Sequence, residues 1–397
     1  MISIRYTRIV ILFLLVFPAR ATSQSGSSGA TSSQSTFSQP SSPTDSFKLT
    51  ANEVASGLNK PVLAAFPPGG TLKFLVLESE GKIFWVDKET KSTSLLYNLS
   101  QNSKTVRIVD VLFHPEYEKN GRLFIAYIDT LNESVEYVVR EFSSDEKSGL
   151  SAYKEIVRIK PTGKQEKSFS LALDLTGNLL IALPDGAENF DPLEQAQNSD
   201  LLWGKVLRYE IKQADYIAPL DNPFVMQKAG KNEIFALGFR EPADMFFDTK
   251  DNVIWVSDRG ADTFQELNIL KSGANYGWSK FEGSQCLRMR LECSGSKGEM
   301  PIFEYPFKQG KKIAISPVYR GKKYSELEGF LFVHDALSGI TWAIRKSADG
   351  KLEKMSVFLS DMNLRFDNFT SDGVGEIYAV SAAQGAVFKL ELNSPAN

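Results

Sequence analysis

Five aspartates occupy comparable places in the chain. Asp87, Asp129, Asp185, Asp258 and Asp335 each close a short apolar run that opens on Gly or Asn, and Ser381 stands where a sixth would be. The runs are GKIFWVD from Gly81, GRLFIAYID from Gly121, GNLLIALPD from Gly177, NVIWVSD from Asn252, GFLFVHD from Gly329 and GEIYAVS from Gly375. An Asp after a strand ordinarily begins the outgoing turn, its carboxylate accepting bonds from nearby N–H groups. If the repeats surround an axis, the same residues would instead form a ring of carboxylates able to hold Ca2+ or ligand hydroxyls. Histidine is scarce. His114 sits in a His-Pro turn and reads as architectural, whereas His334, beside Asp335, is the better candidate for a ligand contact. Two histidines argue against a His-rich zinc centre. Cys286 and Cys293 are the only cysteines and are expected to pair in an oxidising compartment. Closing so short a loop contributes about 2–3 kcal/mol in the chain-entropy model, so the fold does not hang on it.

The elements that carry these residues read as all-β. From about Phe47 onward, short runs rich in aromatic and β-branched residues alternate with turn clusters of Gly, Asp, Asn and Lys, and no long segment has a 3.6-residue period. The copies of the apolar run are separated by 40, 56, 75, 77 and 46 residues, spacings that suit four-stranded units with uneven loops. Such a unit cannot bury its own faces, and closing a ring of them covers both faces and protects the edges. The expectation is a six-bladed β-propeller of four-stranded antiparallel blades, with each apolar run an inner strand near the central channel. A closed barrel is the competing fold.

The termini and balance of charge set the context. Arg5 and Arg8 precede an apolar run from Ile9 to Phe17, and Ala19-Arg20-Ala21 supplies small residues at a cleavage site. This reads as a secretory signal peptide over 1–21, cut after Ala21, with an uncleaved anchor as the alternative. Residues 22–45 are Ser-, Thr-, Gly- and Gln-rich and read as a disordered linker. The propeller is expected over 46–393, with a tail at 394–397. Asn98, Asn132 and Asn368 head glycosylation sequons. With 45 basic against 48 acidic residues, a net charge of −3, the chain is not expected to bind nucleic acid. No second apolar stretch approaches membrane-spanning length.

A set of longer stretches carries a family resemblance. In order they are Phe113-His114-Pro115-Glu116-Tyr117 with Asn120-Gly121-Arg122-Leu123, Gly204-Lys205-Val206-Leu207-Arg208, and Asp221-Asn222-Pro223-Phe224. Then come Ala236-Leu237-Gly238-Phe239-Arg240-Glu241-Pro242, Asn275-Tyr276-Gly277-Trp278 and Pro301-Ile302-Phe303-Glu304-Tyr305-Pro306. Val318-Tyr319-Arg320-Gly321 and Ser338-Gly339-Ile340-Thr341-Trp342-Ala343 complete the series. The series resembles the glucose/sorbosone dehydrogenase family of six-bladed propellers, which includes soluble quinoprotein sugar dehydrogenases and Hedgehog-interacting propellers. The resemblance implies a pocket for pyrroloquinoline quinone (PQQ) and Ca2+ at one mouth, with arginines on the cofactor carboxylates and a histidine base.

Several of those parts are altered. The base position falls near Glu166, in Lys164-Gln165-Glu166-Lys167-Ser168, with no histidine nearby. Arg240 matches the family arginine, but Glu241 replaces the asparagine after it, and a carboxylate there would repel a tricarboxylate. Arg320 matches, yet Ser316-Pro317 stands where glycines usually precede it. Arg107 and Asp110 replace glycines, as does Pro184 before Asp185 and Gly186. Tyr276 and Trp278 are available either to stack on a flat ligand or to pack between blades. The expected function is therefore a secreted, extracellular binding module with no cofactor. Its mouth would be lined by Asp185, Arg240, Asp258, Arg320 and Asp335, and its partner would be a protein or glycan. The alternative is a PQQ- and calcium-dependent dehydrogenase of a sugar or related alcohol, with Glu166 as base. A calcium-dependent lactonase is a third possibility to which no particular residue points.

Overall fold

The computed structural model describes residues 46–101, 106–131, 134–145, 149–211, 215–228, 230–287, 293, 298–347 and 351–393. The expected signal peptide, linker and tail, and the Asn132 sequon, lie outside the described residues. Strand β1 (Ser46–Ala55) precedes a four-stranded sheet of β2 (Pro61–Ala65), β3 (Lys73–Glu78), β4 (Lys82–Asp87) and β5 (Thr93–Asn98). A second is built from β6 (Val106–Phe113), β7 (Arg122–Leu131), β8 (Ser134–Asp145) and β9 (Gly149–Ile159). A five-stranded sheet follows: β10 (Ser170–Leu173), β11 (Leu179–Leu183), β12 (Lys205–Ile211), β13 (Tyr216–Ile217) and β14 (Ile234–Leu237). The next comprises β15 (Pro242–Asp248), β16 (Val253–Asp258), β17 (Phe264–Ile269) and, after the small hairpin β18 (Phe281–Glu282) and β19 (Gln285–Cys286), β20 (Phe303–Pro306). Finally β21 (Ile313–Ile315), β22 (Leu331–Asp335), β23 (Thr341–Lys346) and β24 (Leu352–Leu359) share one eight-stranded sheet with β1, β25 (Asn368–Ser371), β26 (Ile377–Ser381) and β27 (Ala386–Leu392).

The chain is all-β with a propeller-like arrangement of antiparallel sheets. Six separate four-stranded sheets are not what the hydrogen bonding gives. β1 pairs antiparallel with β27 (Leu49 opposite Leu392) and parallel with β24 (Ser46 opposite Ser356), which fuses the last two strand groups into one sheet. Apolar clusters fill the gap between each group and the next. One, containing Phe66, Phe74, Tyr378 and Val387, joins the last group back to the first. Burial of these aliphatic and aromatic side chains is the main favourable term holding the sheets.

A second correction concerns the recurrent apolar run. It forms the second strand of its group (β7, β11, β16, β22, β26), not the innermost one, and the first copy is only the third strand, β4. The first strands β2, β6, β10, β15, β21 and β25 touch their neighbours in succession, and five of them line a central cavity. Asp87 therefore has no equivalence with the others. It caps its own turn through the N–H groups of Glu89 and Thr90, both at 3.0 Å. Elsewhere the turn chemistry is local as well: Asp174 Oδ1 accepts from Thr176 N–H and Asn178 N–H, and Gly177 supplies the positive φ of +76°.

Leu49, fully buried on β1, packs with Phe47, Phe330 and Phe388. Leu49→Ala should lower unfolding stability by about 2–5 kcal/mol, read from the urea midpoint, because it loosens the one strand that bridges two groups.

Candidate functional site

One end of the channel gathers the starts of the first strands and the ends of the second strands. There the chain leaves β11 through Pro184-Asp185-Gly186. Gly186 has φ +64°, and a Cβ on it would lie 2.4 Å from the Trp203 ring, so this turn tolerates no side chain. Asp185 is completely buried. Its Oδ1 pairs with Lys167 Nζ, itself 1% exposed, and accepts Ala187 N–H at 3.1 Å; its Oδ2 accepts Trp278 Nε1–H at 2.8 Å. Burial pushes the Asp185 carboxyl up, against the pull of Lys167, and pushes the Lys167 ammonium down, against Asp185.

The Arg240 turn sits beside this pair. Asp258 accepts the Arg240 N–H at 2.9 Å and the Glu241 N–H at 2.6 Å, so its carboxylate holds the turn that leads into β15. The Arg240 guanidinium lies 5.7 Å from the Trp278 ring, and its Nη1 donates to the carbonyls of Arg259 (3.0 Å) and Gly260 (2.7 Å). Glu241 accepts Ser168 N–H at 3.0 Å and Arg259 Nη1–H at 3.4 Å. Glu166, partly exposed, is salt-bridged to Arg107 at 2.9 Å. Burial also raises Asp258, with Glu266, its register partner on β17, adding repulsion. Glu266 is pushed up to about 7 by burial, reinforced by Glu282 and Glu304 against bonds from Asn268 and Gly283.

Glu166, Asp185, Arg240 and Asp258 thus come together. Lys167, Arg259 and Glu241 complete the network, and Lys167 and Arg259 were not read as site residues. Asp335 lies at the same end but in its own turn, accepting from Lys312 N–H (2.7 Å), Ser338 N–H (2.7 Å) and the Tyr305 hydroxyl (3.1 Å). Arg320 does not line this mouth. It is at the opposite end, paired with Asp248, with Asp251 at 2.7 Å and with Glu328 at 2.8 Å. His334 is not placed for ligand contact either. It is wholly buried; Nε2 accepts Phe366 N–H at 3.1 Å, which leaves Nδ1 to donate to Thr341 Oγ1 at 2.8 Å. Burial lowers it to about 4, so it is neutral and structural. His114 accepts Glu116 N–H within its turn, as expected. Tyr276 stacks on Phe239 at 4.5 Å and is committed to packing. Cys286 and Cys293 form a disulfide. Asn98 ends an outer strand, but Asn368 lies on a first strand and lines the central cavity, a position without room for a glycan.

These residues do not fit a quinone tricarboxylate with its calcium. Lys167 and Arg259 already face Asp185 and Glu241, and the Arg259 and Gly260 carbonyls are capped by a guanidinium instead of being open to a cation. Arg240 Nε is a buried donor without a partner among the described residues, and one guanidinium does not balance three carboxylates.

Fold and site together define an all-β protein whose sheets surround a channel with a charged mouth. The family model described as Glucose / Sorbosone dehydrogenase matches residues 58–389, and the chain belongs to that family. It is 25% identical over 301 residues to the aldose sugar dehydrogenase YliI of Escherichia coli (strain K12), over 73% of this chain and 77% of that one. It is 24% identical over 370 residues to the Hedgehog-interacting protein of Mus musculus, covering 85% of this chain but only half of that protein's length. The PQQ-bound aldose sugar dehydrogenase from Streptomyces coelicolor superposes with a TM-score of 0.68 at 22% identity, over 87% of this chain and 98% of that one, a likeness of fold.

Two outcomes follow from the buried charges. Lys167→Met should cost about 3–5 kcal/mol by stranding Asp185, and adding Asp185→Asn should recover part of it in a urea-denaturation cycle. For Glu266, the unfolded chain releases its proton near pH 4.5 while the native state holds it to about 7. Stability therefore falls as pH rises across that window, by up to about 1.4 kcal/mol per pH unit, and Glu266→Gln should flatten the slope.

Proposed function

We propose that this chain is a secreted, extracellular binding module on a six-bladed ring, that it has lost quinone-dependent catalysis, and that its partner is a protein. In this reading the eight-stranded sheet counts as two blades, which agrees with apolar clusters between every successive pair of strand groups. The carrying observation is the self-compensated mouth: Lys167 with Asp185, Arg259 with Glu241, and Arg240 with backbone carbonyls.

That arrangement also bears on the kind of partner. Sugar hydroxyls need free donors and acceptors, and here those groups are committed to one another. The rim loops at the same end offer apolar side chains instead. Phe190, Leu193, Leu337, Ile340 and Met362 are exposed, Leu337 at 62% and Met362 at 76%. Arg365 ties two of these loops together by donating to the carbonyls of Leu337 (3.4 Å) and Met362 (2.8 Å). Exposed apolar side chains around a polar centre suit protein recognition. The similarity to an aldose sugar dehydrogenase favours the second reading, oxidation of a sugar or related alcohol with PQQ and calcium. That reading needs a base at Glu166, which is bonded to Arg107.

Secretion rests on the signal-like segment at 1–21, and Asn98 is the sequon best placed to carry a glycan. The mature chain recovered from medium should begin at Thr22 by N-terminal sequencing. Titration with PQQ in the presence of Ca2+ should give no saturable spectral change, and a sugar panel should reduce no dye. A saturable quinone complex with turnover lost in Glu166→Gln would reverse the assignment.

A further inference from the structure

The first strands enclose a cavity of about 340 Å3, lined by β2, β6, β10, β15 and β25. Its walls are mostly apolar, with Leu63, Phe66, Val111 and Met245 among them. Two carboxylates interrupt them, Asp110 from β6 and Asp244 from β15. Asp110 is well bonded: Oδ1 accepts Val111 N–H at 2.7 Å, and Oδ2 accepts the Ser170 hydroxyl at 2.9 Å and Leu171 N–H at 2.7 Å. Asp244 is 4% exposed, and its Oδ2 accepts the Ser257 hydroxyl at 2.9 Å and Ile315 N–H at 3.3 Å. Among the described residues its Oδ1 accepts no hydrogen bond, and the Asn368 and Thr370 side chains on the same cavity make none.

We propose that the central channel is a binding site for a hard divalent cation of the calcium type, held by Asp244 and Asp110 with the Asn368 and Thr370 oxygens and water. Two carboxylates in one apolar enclosure call for a counter-charge. The cations that act on Asp244 are Arg259 and Lys312, and both already serve Glu241 and Asp367. The site offers oxygen atoms from carboxylates, an amide and a hydroxyl, the set a hard cation prefers. Among the described residues no three His, Cys, Asp or Glu side chains form a metal cage, so neutral oxygens and water must fill the rest of the shell. The proposed donors line the channel itself, and the proposal does not depend on the binding role.

Calorimetric titration of chelator-treated protein with CaCl2 at pH 8 should show saturable binding and a raised melting temperature. Asp244→Asn should weaken binding at least about tenfold, while Glu266→Gln, outside the channel, should keep it. Absence of saturable binding, or full affinity in both Asp244→Asn and Asp110→Asn, would overturn the proposal. If those variants do not fold, wild-type crystals soaked in CaCl2 decide the matter: density in the channel supports the site, and an empty channel or density only elsewhere refutes it.

Discussion

A sheet with two apolar faces has to be covered twice, and in this chain the covering always comes from the neighbouring sheet. The arrangement holds only if the last group meets the first. β1, the strand that leads into the first group, serves that closure by pairing with β27 of the last group, and it also pairs with β24. Phe66 and Tyr378 then meet across the final gap, their rings 4.8 Å apart. With the ring closed, the loops at each end are fixed relative to one another, and residues far apart in the chain, such as Asp185 and Trp278, become bonded neighbours.

The chemistry of the mouth follows from how its charges are partnered. A catalytic or cofactor-binding mouth needs charges held in place but left available. Here the buried ammonium, guanidinium and carboxylate groups face one another, and the low local dielectric strengthens that commitment. Such a network fixes the turns before β10 and β15 in place but offers a ligand little electrostatic attraction. The exposed apolar side chains at this end belong to the rim loops, not to the network.

The all-β class, the repeated units, the disulfide and the family were legible in the residues. Depth in the sheet was not. The most continuous apolar runs are second strands, because both their edges and both their faces are covered. First strands border the channel and carry Asp110, Ser170, Asp244 and Asn368, so they lack the unbroken apolar signature that drew attention to their neighbours. In the first group the Gly-led pattern picked β4 because β3, which holds the equivalent place, has no Gly directly before it. Arg320 was misplaced for a related reason: a linear motif does not say at which end of a strand it emerges. Lys167 shares a polar loop with Lys164 and Glu166, and nothing in that spacing marks the one that turns inward. For the aspartates, capping of the outgoing turn describes Asp87 and Asp335 well, whereas Asp258 holds the distant Arg240 turn.

The position of β1 also constrains how the polypeptide can be made. Its partners Ser356–Leu359 and Val387–Leu392 leave the ribosome some three hundred residues after it. During translation this first strand has no ladder to join, and the groups already formed present uncovered flanks. Ring closure is consequently a late, long-range event with a large loop entropy to overcome. The nascent chain must be kept from pairing its open edges with other molecules until its last strands have been synthesised.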